Sequence, residues 1–205
     1  MKSIRILISF LFCLTIIFSC HSEIEKKNSS GKSNSLNISN NSDSIKDFTK
    51  RFAELIKAMQ TQNQGKIDEF ISPQFGLLII ESHGAMPFFN ISSRNEVAFR
   101  NKFEAICNTT IFEGDLKIEQ LPKIDCDKEN FYSKSGSFVQ DTNKLNSSEI
   151  WKYGNLSTAD EKFAENAIKS VGKTVILTSG YTYYFSFYKL NWYLTIIDTR
   201  KPCNA

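Results

Sequence analysis

The chain of 205 residues has only two histidines, which limits the hydrolytic and metal-dependent chemistry it can support. His21 lies in a polar N-terminal stretch, so a Ser-His-Asp or Cys-His array in the folded part would have to use His83. His83 stands in the turn-like run Glu81-Ser82-His83-Gly84, and no Gly-x-Ser-x-Gly elbow occurs anywhere. Cys-x-x-Cys and His-x-x-x-His are also absent, and one histidine cannot supply a zinc site alone. Asp125, Asp127 and Glu129 offer oxygens, but the glycine-bearing spacing of a calcium loop is missing, so they read as a solvated acidic turn. Gly172-Lys173-Thr174 resembles the end of a phosphate loop, yet Ala167 stands where the earlier glycine belongs. The order there is also helix to strand rather than the reverse, so Gly172 reads as a helix C-cap. These residues lead us to expect no cofactor, no metal and no catalytic centre. The enzyme alternative is a hydrolase-like site built on His83 and nearby carboxylates.

Charge of one sign is equally scarce. The formal net charge is +3, with Lys and Arg scattered among Asp and Glu, so no strong field draws the protein to nucleic acid. Lys2 and Arg5 contribute two of those charges to a short positive segment, with no acidic residue before Glu23. An apolar run follows from Ile6 to Phe18, interrupted by Ser9 and Thr15. That run falls short of the roughly 20 residues needed to span a hydrocarbon core of about 30 Å, as in a secretory signal peptide. Its end, Ile17-Phe18-Ser19-Cys20, resembles the bacterial lipobox, in which an aliphatic and a small residue precede an obligatory Cys. The resemblance implies a signal peptide over residues 1–19 and a lipidated Cys20 as the mature N-terminus. It also implies a cell-envelope protein, lipid-anchored to a bacterial membrane and facing the periplasm or the exterior. Such lipoproteins carry several acyl chains, which hold a protein stably where one chain would not. Without the leader's two positive charges the net charge is about +1, close to neutral.

Residues 20–43 are dominated by Ser, Asn, Lys and Glu and cannot bury enough apolar surface to offset the entropy of ordering. They read as a flexible tether of roughly two dozen residues, reaching about 25 to 30 Å on average. Residues 44–205 suit one domain with its own core. Ser44, with Asp47 three residues on, reads as the cap of a first helix. Asp43-Ser44-Ile45 also resembles an O-glycosylation triplet of bacterial envelope proteins. Ile45, Phe48, Phe52, Leu55, Ile56 and Met59 give that helix an apolar stripe. A short helical turn around Ile67 and Phe70 and a buried strand from Leu77 to Ile80 come next, closed by turn signals from Gly84 to Pro87. Ser93 and Glu96 in capping-box spacing start a second helix that carries Phe99, Phe103, Ile106 and Cys107. Leu116 to Leu121 can form a strand, whereas residues 122–148 give no clear pattern. A third helix starts at Ser157 and buries Phe163, Ala167, Ile168 and Val171.

The C-terminal third is the most patterned. After a strand at Val175–Leu177, two period-two aromatic runs, Tyr183 to Tyr188 and Trp192 to Ile197, make an antiparallel hairpin. In that register Trp192, Leu194 and Ile196 share one face, Tyr193 and Ile197 the other. Both faces carry large apolar groups, so both are expected to be covered, with the hairpin as the domain's core. The fold expected is α+β, with N-terminal helices packed on a curved antiparallel sheet that ends in an aromatic hairpin. That order resembles the cystatin-like, nuclear-transport-factor-like cone folds.

The envelope permits disulfides. Cys107 lies on an apolar helix stripe and reads as a buried free thiol, whereas Cys126 and Cys203 lie in polar, turn-flanked segments. Pairing these two closes a loop of roughly 80 residues, which chain entropy values at about 4 kcal/mol. The function expected is a non-catalytic domain that binds an envelope protein or a small ligand.

Overall fold

The computed structural model describes residues 37–84, 86–92 and 97–203. The leader, Cys20, His21 and the tether up to residue 36 lie outside the described residues, as do Ser93 and Glu96.

Helix α1 spans Asn37–Gln60, so it starts seven residues before the expected Ser44 cap and takes in the end of the segment assigned to the tether. Its stripe of Phe48, Phe52, Leu55, Ile56 and Met59 is buried as the spacing requires. Helix α2 (Gln64–Asp68) opens with the Asn63 side chain accepting from the Lys66 N–H and buries Ile67. Strands β1 (Leu77–His83) and β2 (Met86–Ser92) form an antiparallel hairpin, and α3 (Val97–Thr109) follows. After the short β3 (Leu116–Ile118) and β4 (Ser137–Gln140) come α4 (Lys144–Ser148), a 3₁₀ turn at Ile150–Tyr153 and α5 (Thr158–Lys169). Ser157 caps α5 as expected, its side chain accepting from the Asp160 N–H, with Asp160 and Glu161 placed favourably in the first turn. Strands β5 (Val171–Leu177), β6 (Thr182–Tyr188) and β7 (Asn191–Asp198) close the chain.

All seven strands form one sheet in the order β2-β1-β7-β6-β5-β4-β3. The sheet is mixed rather than purely antiparallel, because β1 runs parallel to β7 and β3 parallel to β4. Both parallel pairs join strands separated by long crossovers, which local alternation cannot reveal. One face is covered by α1, α2 and α3, with Leu77, Ile79, Val175, Tyr183, Phe185 and Leu194 beneath them. Arg51 ties this layer down, donating from Nε to the Trp192 carbonyl at 2.6 Å and from Nη2 to the Glu69 carbonyl at 2.9 Å. The other face is covered by α4, the 3₁₀ turn and α5 over Leu78, Ile80, Tyr184 and Ile196. The segment after β3 closes its far end, where Leu121 packs on Phe138 and Ile176.

Three local expectations need correction. Gly172 is not a helix cap. Ser170 caps α5, and Gly172 sits inside β5 at an irregularity between Val171 and Lys173. A Cβ on Gly172 would stand 3.1 Å from the Trp192 ring, so close packing explains the glycine there. Val171 is buried as expected, but as the first residue of β5 rather than as part of the helix. In β7 the pairing slips between Tyr184↔Ile196 and Phe185↔Leu194, which leaves Thr195 as an extra residue. The bulge puts Ile196 against the second core and Ile197 with Leu194 and Trp192 in the first. Trp192 itself is half-buried, packed on Phe48 and Phe187.

Candidate functional site

A cavity of about 440 Å³ opens on the face of the sheet that carries α4 and α5. Strand register assembles its floor. Thr174 lies opposite Tyr184, Ile176 opposite Thr182, and Thr182 opposite Asp198, which brings hydroxyls from β5 and β6 and a carboxylate from β7 to one end of the sheet. Lys144, Leu145 and Ser148 of α4 form one wall. Ile124 and Tyr132, themselves joined by a β-bridge, form another. Arg200, Lys201 and Pro202, the residues after β7, complete it, with Ser82 and Pro87 from the β1–β2 hairpin at the edge.

Asp198 is the electrostatic pivot. It is only 7% exposed, and Arg200 holds it in a fork, with Nε donating to Oδ1 at 2.8 Å and Nη2 to Oδ2 at 2.7 Å. The Arg200 backbone N–H adds a third donor at 3.1 Å. Charge-assisted, bidentate pairs of this kind fix geometry as well as adding energy. Burial works to lower the Arg200 pKa, but its hydrogen bond to Asp198 and the charge of Asp198 outweigh it and hold the guanidinium above its usual range. Tyr184 is pushed up by burial first and then by the Asp198 charge. Tyr132 moves the same way for the same two reasons, against a hydrogen bond from Thr182. Both phenols therefore stay protonated across physiological pH and can act as hydrogen-bond donors.

The disulfide lies close in sequence to residues that line this cavity. Cys126 and Cys203 are bonded, with Cα atoms 5.4 Å apart and a sequence separation of 77, as the sequence suggested. The bond joins the loop that carries Ile124 and Tyr132 to the segment that carries Pro202, so it pins two walls together. Cys107 is buried and free, and its thiol is pushed up to about 12, by burial first and then by Glu104.

Comparison with protein-family models, curated proteins and solved structures finds no match. The geometry alone therefore carries the reading of the site.

Of the other residues singled out in the sequence, Thr174 lines this cavity, whereas Glu81, the acidic turn and Lys173 do not. His83 ends β1, paired through its backbone with Met86, and its side chain lies outside the described residues. Glu81, the carboxylate nearest to it in sequence, is engaged by Lys102 and Asn90. In the acidic turn Asp125 pairs with Lys128 at 3.0 Å and accepts from the Asp127 N–H at 3.3 Å. Among the described residues no three His, Cys, Asp or Glu side chains are grouped to hold a metal. Lys173, from the apparent phosphate loop, is 3% exposed, pairs with Asp141, and lies 4.7 Å from the Trp192 ring centroid and 5.3 Å from that of Phe48. It borders a second cavity of about 300 Å³. The signal that could have pointed to the cavity of about 440 Å³ was the presence of hydroxyls in the strands: Thr174 and Thr182 sit where apolar residues would pack as well.

Proposed function

We propose that this chain is a cell-envelope lipoprotein, held to a bacterial membrane through Cys20, whose domain is a non-catalytic binding module of the cystatin-like cone type. The cavity of about 440 Å³ carries the binding part of the reading, since this size suits a small organic ligand. Its polar groups favour recognition over proton transfer. Asp198 is committed to Arg200, and the tyrosines are held in their neutral form. The leading helices α1 and α2 and the closing β6–β7 aromatic hairpin are the parts of the element order that support the cone resemblance. A small ligand is favoured over a protein partner because the lining groups converge in a concavity rather than on a flat face.

Two experiments test the two halves separately. In the bacterium that makes it, the wild type should partition into membranes and detergent, while Cys20→Ala should be released or left as uncut precursor. Recovery of the wild type in the soluble fraction would sink the anchor. For binding, native mass spectrometry of protein extracted from its own membranes should find a small bound mass. Ser148→Trp, which fills the cavity from α4, should lose it. A wild type without any such mass counts against the binding module.

A further inference from the structure

Three cationic side chains border the large cavity against one carboxylate, and that carboxylate is already neutralised. Lys144 on α4 and Lys201 after β7 are exposed lining residues from separate elements and bring two positive charges to the cavity. Arg200, which also lines the cavity, spends two of its five N–H donors on Asp198, so three remain for a ligand. Asp198 therefore works as an orienting group: it locks the fork without leaving a negative charge free to repel an anion. Ile124, Leu145 and Ile176 supply apolar lining, and Tyr184 lines the cavity beside them. A cationic ligand would meet like charge there. A neutral one would use only the hydroxyls and apolar walls.

We infer that the cavity takes a small amphiphilic anion, an acidic head group against Lys144, Arg200 and Lys201 with an apolar body packed on Leu145 and Ile176. The inference rests on the cavity reading above and names the class of ligand for that same site. Carboxylates, phosphates and sulfonates share the required chemistry, so one aromatic example serves as the probe.

Mature lipidated protein in dodecylmaltoside is titrated calorimetrically with phenyl phosphate, with benzyl alcohol and with benzylamine. Phenyl phosphate should bind at least about tenfold more tightly than benzyl alcohol, and more weakly as salt is added, while benzylamine gives no binding. The double variant Lys144→Gln/Lys201→Gln changes two exposed side chains and should keep the wild-type melting temperature. It should bring phenyl phosphate down towards the alcohol. Equal binding of alcohol and phosphate, or a double variant that binds phosphate like the wild type, overturns the anion while leaving a small-ligand cavity in place. No heat with any of the three probes overturns the cavity reading and the inference together.

Discussion

Lys173 shows how much a single side chain can shape a core. A buried ammonium is tolerated only with partners, and here they are the Asp141 carboxylate and the Phe48 and Trp192 rings. The two ends of the pair differ: Asp141 is 59% exposed at its side chain, whereas Lys173 is not. Removing Asp141 leaves a buried cation uncompensated, while removing Lys173 leaves a carboxylate that water can solvate. Asp141→Ala is therefore expected to cost about 1 to 3 kcal/mol. Lys173→Met should be close to neutral, because a well-packed apolar replacement of a buried ion pair often is. Urea unfolding of both variants checks the order, and a Lys173→Met costlier than Asp141→Ala would show that the ring contacts rather than the charge pair hold the site.

Buried acids set the pH response at the same scale. The Cys107 thiol is raised from 9.0 to about 12, and Tyr183 and Tyr184 are also raised by burial. In each case the unfolded chain gives up its proton at lower pH than the folded one, so above pH 9 the unfolded state binds fewer protons and stability declines. The contribution is intact below the unfolded values and fades as pH climbs through the folded ones. Melting curves between pH 8 and pH 11 should show a steady fall at the alkaline end. Native protein at pH 8 should also resist iodoacetamide at Cys107 and react once unfolded.

At the scale of elements, the β6–β7 turn breaks a local rule. Lys189 and Leu190 occupy the two central positions with φ of 44° and 65°, a turn that favours Asn-Gly. Leu190 is also 84% exposed, so it gains little from burial to offset that backbone cost. Lys189→Asn/Leu190→Gly should raise stability by about 1 kcal/mol, read as a higher urea midpoint at unchanged slope. Gly154 points the other way: a Cβ there would lie 2.4 Å from the Phe89 ring, so Gly154→Ala should cost about 1 to 3 kcal/mol by overpacking.

These elements also show what could be read from the sequence. The stripes of α1 and α3, the Ser157 cap and the aromatic hairpin were legible because each signal lies within a few residues. Strand β2 was not, since Met86–Ser92 alternates weakly and exposes Met86 and Phe88. Strand β4 and α4 are too short to show a period. The Thr195 bulge is invisible to an alternation rule that assumes an unbroken register, which is why Ile196 and Ile197 exchanged faces. The cysteines were read correctly from their flanking residues, polar turns for the bonded pair and an apolar helix stripe for Cys107. The cavity was not read, because its residues come from the β1–β2 hairpin, the loop before β4, α4, β5, β6 and the end of β7.

For the molecule as a whole, the disulfide couples stability to the site. Its two cysteines are 77 residues apart, and the enclosed chain contains β4, α4, α5, β5, β6 and β7. Cross-linking so long a loop removes conformations from the unfolded chain worth about 4 kcal/mol. For a domain of this size that corresponds to a drop of roughly 10 °C in melting temperature when the bond is lost. Cys203→Ser should show that drop, and reduction of the wild type with dithiothreitol should reproduce it. The sheet should survive, because the cores beneath α1–α3 and α4–α5 include neither cysteine. The cavity should not, because the bond joins the loop bearing Tyr132 to the segment after Arg200. Reduced protein held below its new melting temperature should therefore keep its far-ultraviolet circular dichroism while losing affinity for phenyl phosphate. If reduction lowers the melting temperature but leaves that affinity unchanged, β7, α4 and the Asp198–Arg200 fork hold the cavity by themselves. The bond is then a staple for the fold alone.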